Sequence, residues 1–319
     1  MSGRAKAFTL TDRRVFVAGH RGMLGGALVR RLEGSGCRLL TADRKTLDLR
    51  RQDAVADWLA AHRPQVIFLT AAHVGGIQKN IDRPAELLYD NLMIEANVID
   101  AAWRAKVEKV CFVSSSCVYP RLAPQPMKED SLWTGPLEPT NAGYGAAKLI
   151  GMELCRQYRR QYGADFITAI PCNLFGPGDE FGPEGHVVAS LMRRFHEAKL
   201  AGANAVEVWG TGKAQREFLY VDDCADALVF LAENYSDAEP VNVGMGSDVS
   251  ILELARLVGK VVGFAGEIAL SPEKPDGMPR KLVDTGRLEA LGWRHRTDLE
   301  DGLRTTYRWF VENAAAGGG

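Results

Sequence analysis

The sequence predicts an α/β protein: a doubly wound parallel sheet, joined by a second, smaller α/β lobe. Three observations carry this. Through the first half, short runs rich in Val, Ile and Phe alternate with longer stretches of helical spacing. Those runs are apolar at successive positions rather than at every second one, so the strands are buried on both faces and parallel right-handed crossovers connect them most economically. The first run also ends in a glycine-rich turn that opens a helix.

In order, RRVFVAG (13–19) is a strand stopped by glycine, and LVRRLEGSG (28–36) is a helix that ends at glycines. CRLLTA (37–42) is a second strand, and DAVADWLAAHRP (53–64) is a helix that halts at proline. QVIFLTAA (65–72), KVCFVSS (109–115) and DFITAIP (165–171) supply the third, fourth and fifth strands. PAELLYDNLMIEANVIDAAWRA (84–105) is apolar nearly all round, at Leu87, Leu88, Leu92, Met93, Ile94, Val98, Ile99 and Trp103, which predicts burial on more than one side. YGAAKLIGMELCRQYRRQYG (144–163) places small residues first and apolar ones after. Burial within one large chain and burial in a subunit interface suit these two helices equally.

After Pro171 the rhythm breaks. Glycines and prolines crowd NLFGPGDEFGPEG (173–185), followed by a helix (VVASLMRRFHEAKL), a short strand (VEVWG) and further loop. The division expected is 1–175 for cofactor binding and 176–319 mainly for substrate, with segments near 218–244 packing back on the first lobe. The closing AAAGGG is expected to be unstructured.

Composition limits the partners. The 319 residues are 46% hydrophobic and 25% charged, with a net charge of −1, so bulk attraction to nucleic acid or to a membrane surface is not expected. No apolar run approaches the ~20 residues of a membrane span, and MSGRAKAFTLTDRR has no apolar stretch of signal length. Cys37, Cys111, Cys117, Cys155, Cys172 and Cys224 show no metal-ligand spacing, and no metal is expected. Most read as buried small hydrophobes of a reducing compartment, the cytoplasm.

GHRGMLG places Gly19, Gly22 and Gly25 between the first strand and the first helix. Glycines there permit a tight turn and close backbone approach, while the helix N-terminus offers N–H groups to a pyrophosphate. That is the Rossmann arrangement for a dinucleotide. Asp43, past the second strand, suits the ribose 2′-hydroxyl of NAD, whereas Arg21 and Arg44 suit the 2′-phosphate of NADP(H). The reading favours NADP(H).

Tyr144 and Lys148 share a helix face as Y-x-x-x-K. An ammonium near a phenol stabilises its anion and brings a proton donor of pKa ~10 toward neutrality. Ser115, at the end of the fourth strand, stands where ligands sit in open α/β sheets. Taken singly, a Tyr-x-x-x-Lys pair is a chance feature of many helices, and Cys117 beside Ser114, Ser115 and Ser116 is a filler thiol.

Together, in this order and spacing, the glycine turn, the strand-end serines and the Tyr/Lys pair resemble the extended short-chain dehydrogenase/reductase family. The stretches GHRGMLG, AAHVGGI, SSSCVYP, QPMKE, LEPTNAGYGAAK, NLFGP, LMRRFHEA, VWGTG, REFLYVDD and KPDGMPRKL are similar to one branch of it across nearly the whole chain. That branch inverts carbons 3 and 5 of GDP-4-keto-6-deoxy-D-mannose and then reduces the 4-ketone with NADPH. The resemblance implies Ser115, Tyr144 and Lys148 for the hydride step, with Cys117 and His186 as the proton carriers of epimerisation. It implies cofactor contacts at Gly19, His20, Arg21, Gly22, Met23, Leu24, Gly25, Arg44, Asp48, Leu49, Val113, Ser114, Ser116, Lys148, Pro171, Asn173, Leu174 and His186. Substrate contacts carry over to Arg194, Trp209, Arg216 and Asp276, and a cytoplasmic homodimer is implied.

Three positions depart from the branch: Ser114 replaces an expected glycine, His73 is unusual, and the Gly178 loop is one residue short before His186. Three other readings were weighed. A 4,6-dehydratase needs a carboxylic acid beside the catalytic serine, which Ser115-Ser116-Cys117 does not provide. A nucleotide-sugar 4-epimerase leaves Cys117 and His186 without work. A non-catalytic NADP-binding regulator has no need of an intact Tyr144/Lys148 pair.

Overall fold

The structure, a computed structural model, describes residues 8–182, 185–274 and 278–314. The expectations for Asp276 and for the tail at 315–319 lie outside the described residues. The first lobe runs β1 (Arg14–Ala18), α1 (Met23–Leu32), β2 (Arg38–Leu40), α2 (Gln52–His62), β3 (Val66–Leu69), α3 (Ile77–Asp82), α4 (Pro84–Arg104), β4 (Lys109–Val113), α5 (Ala142–Tyr162) and β5 (Phe166–Pro171). There follow β6 (Asn173–Phe175), α6 (Val187–Leu200), β7 (Ala205–Trp209), β8 (Gln215–Arg216), β9 (Phe218–Tyr220), α7 (Val221–Asn234), β10 (Val241–Val243), β11 (Val249–Ser250), α8 (Ile251–Val262), β12 (Glu267–Ser271), β13 (Arg280–Lys281), α9 (Gly286–Leu291) and α10 (Leu299–Ala314).

Six strands form the main sheet in the order β10-β5-β4-β3-β1-β2, all parallel. Every residue of β3, β4 and β5 is buried, as apolar runs covered on both faces require. β2 is the short edge strand and is only partly covered, so its pairing ends at Leu40 rather than at Ala42. Strand order reverses at β1, between β2 and β3, which places the ligand crevice over the carboxyl end of β1.

α4 differs from the all-round burial expected of it. Its inward face carries Leu87, Asn91, Glu95, Val98, Ile99 and Ala102, while Leu88, Leu92, Met93 and Ile94 are only partly covered and Tyr89 is exposed. Three polar side chains of α4, Asn91, Glu95 and Asn97, are buried as well. Asn91 is fully occupied: its amide donates to the carbonyls of His73 and Leu87, and its carbonyl accepts from His73 N–H.

A second apolar cluster gathers Phe175, Leu191, Met192, Phe195, Val206, Val208, Leu254, Val258, Leu303 and Phe310. It is framed by α6, α8 and α10 and by three small sheets: β11-β8-β13, β12-β7 and β6-β9. α8 begins with a reciprocal cap, Ser250 Oγ accepting from Glu253 N–H at 3.1 Å and the Glu253 carboxylate accepting from Ser250 N–H at 2.8 Å. α7 and β10 belong instead to the first cluster, where β10 extends the main sheet beyond β5.

Candidate active site

The glycine turn is dictated by contact. Gly19 has φ +99°, and a Cβ there would lie 2.7 Å from the backbone of Ala71, so the ends of β1 and β3 approach too closely for any side chain. A Cβ on Gly25 would lie 2.0 Å from the Gly19 carbonyl oxygen. Gly22 caps α1 without a side chain, and no acidic residue occupies the first turn. The N–H groups of Met23 and Leu24 at this end are free of intrahelical partners and point at an anion's place. Gly178 backs onto Met23, its added Cβ falling 3.6 Å from Met23 Cα, so the loop leading to His186 crosses this turn. A cradle that a methyl group would fill, at a helix N-terminus, fits a dinucleotide pyrophosphate.

At the adenosine end Arg21 grips Asp43 with two contacts, Nε to Oδ1 at 2.5 Å and a second nitrogen to Oδ2 at 2.8 Å. His20 Nε2 lies 3.3 Å from the same carboxylate. Asp43 is thus neutralised, while Arg44 is exposed. The carboxylate of Asp48 is likewise held, by Arg50 at 2.7 Å, and that hydrogen bond brings its pKa down to about 2. Arg50 reaches on to Asp90 at 3.1 Å, and Asp90 holds His73 Nδ1 at 3.0 Å, which gives the unusual His73 a structural partner. The Leu49 carbonyl accepts from Asn97 at 3.1 Å.

β4 stops at Val113 because the chain turns. Ser114 and Ser116 are buried, and Ser115 caps a single 3₁₀ turn, Ser116–Val118, its Oγ accepting from Cys117 N–H at 3.3 Å. The first turn of α5 rests on this segment: a Cβ on Gly145 would lie 2.6 Å from the Cys117 carbonyl oxygen. That contact brings Tyr144 against Ser115 and Cys117.

The sequence argument expected Lys148 to lower the Tyr144 phenol. Here the phenol is raised, by burial first and then by the charges of Cys117 and Glu95, against a hydrogen bond with Ser115. The geometry explains the difference. Lys148 Nζ is 6.0 Å from the centre of the Tyr144 ring, donates to the Val113 carbonyl at 3.1 Å, and is paired with Glu95 at 3.1 Å.

Cys117 is one of two partly exposed cysteines among the six. Its sulfur receives Asn141 Nδ2 at 3.2 Å and Lys281 Nζ at 3.4 Å. Neither donor was singled out from sequence, although both lie in stretches that carried the resemblance. The distance along the chain hid Lys281; β13 pairing brings it back. In that ladder Lys281 sits opposite Arg216, and Met127 N–H to the Leu282 carbonyl at 2.8 Å ties the following residue to the loop after Cys117.

His186 is exposed at the cap of α6. Its Nδ1 lies 3.4 Å from Asp179, a hydrogen bond that holds the imidazole above its ordinary pKa. Ser115, Cys117, Tyr144 and Lys148 form one cluster, and among the described residues no hydrogen bond joins His186 to Cys117. Arg194 contacts the Glu207 carbonyl. Trp209 is 61% exposed, with Lys274 Nζ 5.8 Å above its ring. Arg216 donates to the Gln215 carbonyl at 2.7 Å. Asn173 donates to the Glu217 carbonyl at 2.9 Å, and Leu174 pairs with Leu219. Pro171 pairs with Val243 at the end of β5.

The family model described as "NAD dependent epimerase/dehydratase family" matches residues 15–244. A GDP-L-fucose synthase of Sinorhizobium fredii is 49% identical over 97% of this chain and 98% of its own. The crystal structure of a GDP-6-OMe-4-keto-L-xylo-heptose reductase from C. jejuni superposes with a TM-score of 0.91 at 33% identity, covering 97% of this chain and all of its own. A GDP-L-fucose synthetase from Naegleria fowleri bound to NADP gives 0.89 at 28% identity, covering 97% and 98%.

Proposed function

The chain belongs to the NAD dependent epimerase/dehydratase family, and we propose that it makes GDP-L-fucose from GDP-4-keto-6-deoxy-D-mannose, by 3,5-epimerisation followed by NADPH-dependent reduction of the 4-ketone. The observation that carries this is the near full-length identity to the Sinorhizobium fredii synthase. Bound NADPH supplies the hydride. The chain's own residues do the rest. Gly19, Gly25 and the first turn of α1 hold the pyrophosphate, and Arg21 neutralises Asp43 so that a 2′-phosphate is tolerated beside it.

The 4-ketone makes the hydrogens on carbons 3 and 5 acidic. Ser115 and Tyr144 hold the enolate oxygen, and Cys117 and His186 remove and return protons on opposite faces of the sugar. Lys281 and Asn141 donate to the Cys117 sulfur and hold it in place. Tyr144 then gives its proton to the carbonyl oxygen as hydride reaches carbon 4, with Lys148 charged beneath it. Arg194, Trp209, Arg216 and Asp276 take the nucleotide sugar, in a lobe built mainly from 176–319.

The enzyme works in the cytoplasm as a homodimer, with the partly uncovered α4 and α5 as the contact; Tyr89, Ile150 and Tyr162 are exposed there. Among the described residues no helix is long and apolar enough to cross a membrane.

The test is incubation with GDP-4-keto-6-deoxymannose, NADPH and deuterated solvent. GDP-L-fucose carrying deuterium at carbons 3 and 5 is expected. Cys117→Ala should suppress that exchange. A product reduced at carbon 4 without exchange would make the protein a plain reductase, as the C. jejuni heptose enzyme is named.

A further inference from the structure

Glu95 and Lys148 are both almost fully buried, with 0% and 1% of their surface exposed. They face each other across the α4–α5 seam, Oε1 to Nζ 3.1 Å apart. Burial raises the Glu95 carboxyl above its ordinary pKa, and the Lys148 ammonium is the group that pulls it back and answers its charge. A buried ion pair is seldom the most stable filling for such a space; apolar side chains of similar volume usually serve better. Its presence on the inward face of α4 therefore calls for a role beyond packing.

Space is reserved for it. Gly151 lies one turn after Lys148 on α5, and a Cβ there would fall 2.2 Å from Glu95 Oε2 and 2.6 Å from Phe112 Cζ. Glycine is a poor interior helix residue, and here it is what lets the carboxylate reach. Nζ is then held from three sides: by Glu95, by the Val113 carbonyl at 3.1 Å, and over the Phe112 ring at 4.9 Å.

We propose that Glu95 is a positioning residue for the reduction: its carboxylate, admitted by Gly151, holds the Lys148 side chain in place below Tyr144. The inference rests on the function proposed above. The groups facing the pair are Tyr144 and Cys155 on α5 and, behind Cys155, Cys111 on β4. None of them is a carboxylate, so nothing takes over from Glu95 as the partner of Nζ when it is changed, and Nζ is then held by the Val113 carbonyl and the Phe112 ring alone. Glu95 touches neither substrate nor cofactor in this arrangement, and it acts through Lys148.

Two measurements test it. In thermal unfolding, Glu95→Gln should lower the melting temperature clearly in the parent chain and much less when Lys148→Met is already present. In NADPH oxidation, Glu95→Gln should lower kcat by about tenfold or more with little change in KM, and with a smaller loss of solvent-deuterium exchange. Glu95→Asp should restore part of the loss, and Gly151→Ala should reproduce it. Additive melting temperatures, or a kcat equal to the parent's, would overturn the proposal. If the parent chain fails to turn over the keto-sugar, the functional reading falls, and the melting cycle alone decides whether the two charges are coupled.

Discussion

Lys281 donates to the Cys117 sulfur across 3.4 Å, although 164 positions separate the two residues in the chain. The pairing of β13 with β8 makes the contact, and it sets Arg216 beside Lys281 in the same ladder. The Lys281 donor fixes the sulfur, and a small misplacement of a reacting group costs rate steeply. Lys281→Met should therefore slow deuterium exchange into carbons 3 and 5 of the keto-sugar, followed by mass spectrometry of the sugar, by about tenfold or more. An exchange rate equal to the parent's would remove Lys281 from the proton chemistry.

Tyr144, the proposed proton donor of the second half-reaction, is hydrogen-bonded with Ser115. Tyr144→Phe should cut the rate of NADPH oxidation by about 10²- to 10⁴-fold, the usual range for a general acid. Exchange at carbons 3 and 5 should fall far less, because the enolate keeps Ser115. A turnover number within twofold of the parent's would assign proton donation to another group.

How far the sequence alone could go is clear from individual residues. Buried strands announce themselves through unbroken apolar runs, and β3, β4 and β5 are wholly buried as read. The glycine turn is equally legible, because Gly19 and Gly25 answer backbone contacts that no other residue survives. Glu95 is hard to see because Leu88, Leu92, Met93 and Ile94 blur the buried face of its helix, on which it follows Leu87 and Asn91 at intervals of four. Lys281 and Asn141 leave no local trace: a contact with Cys117 depends on strand pairing and loop path. Tyr144 departs from expectation on similar ground, since the spacing to Lys148 fixes a shared face but not the Glu95 that engages the ammonium.

Cofactor choice should follow the Arg21–Asp43 pair. With both guanidinium contacts in place Asp43 cannot repel a 2′-phosphate, and the exposed Arg44 is free to meet one. Replacing Arg21 and Arg44 together by alanine should raise the KM for NADPH by roughly tenfold or more, the loss expected from charge-assisted contacts to phosphate. The KM for NADH should change little, or improve once Asp43 is released to accept from a ribose hydroxyl. Equal effects on both cofactors would make Asp43 the better guide to selectivity.

Asp179 and His186 give a pH-dependent prediction whose sign is fixed. The hydrogen bond to Asp179 raises the imidazole pKa in the folded chain. A histidine raised above its unfolded value of ~6.5 contributes stability that is complete below that value and disappears as pH climbs through the folded one. Asp179→Asn should therefore lower the melting temperature more at about pH 5.5 than at about pH 8.5. The difference should be small, because 45% of the imidazole side chain is exposed and solvent screens the pair. His186→Asn should abolish the difference between the two pH values, since no titrating ring then remains for Asp179 to hold. If Asp179→Asn costs the same at both pH values, the 3.4 Å contact is not holding a protonated imidazole, and the proton proposed for His186 in epimerisation must be tuned by the bound sugar instead.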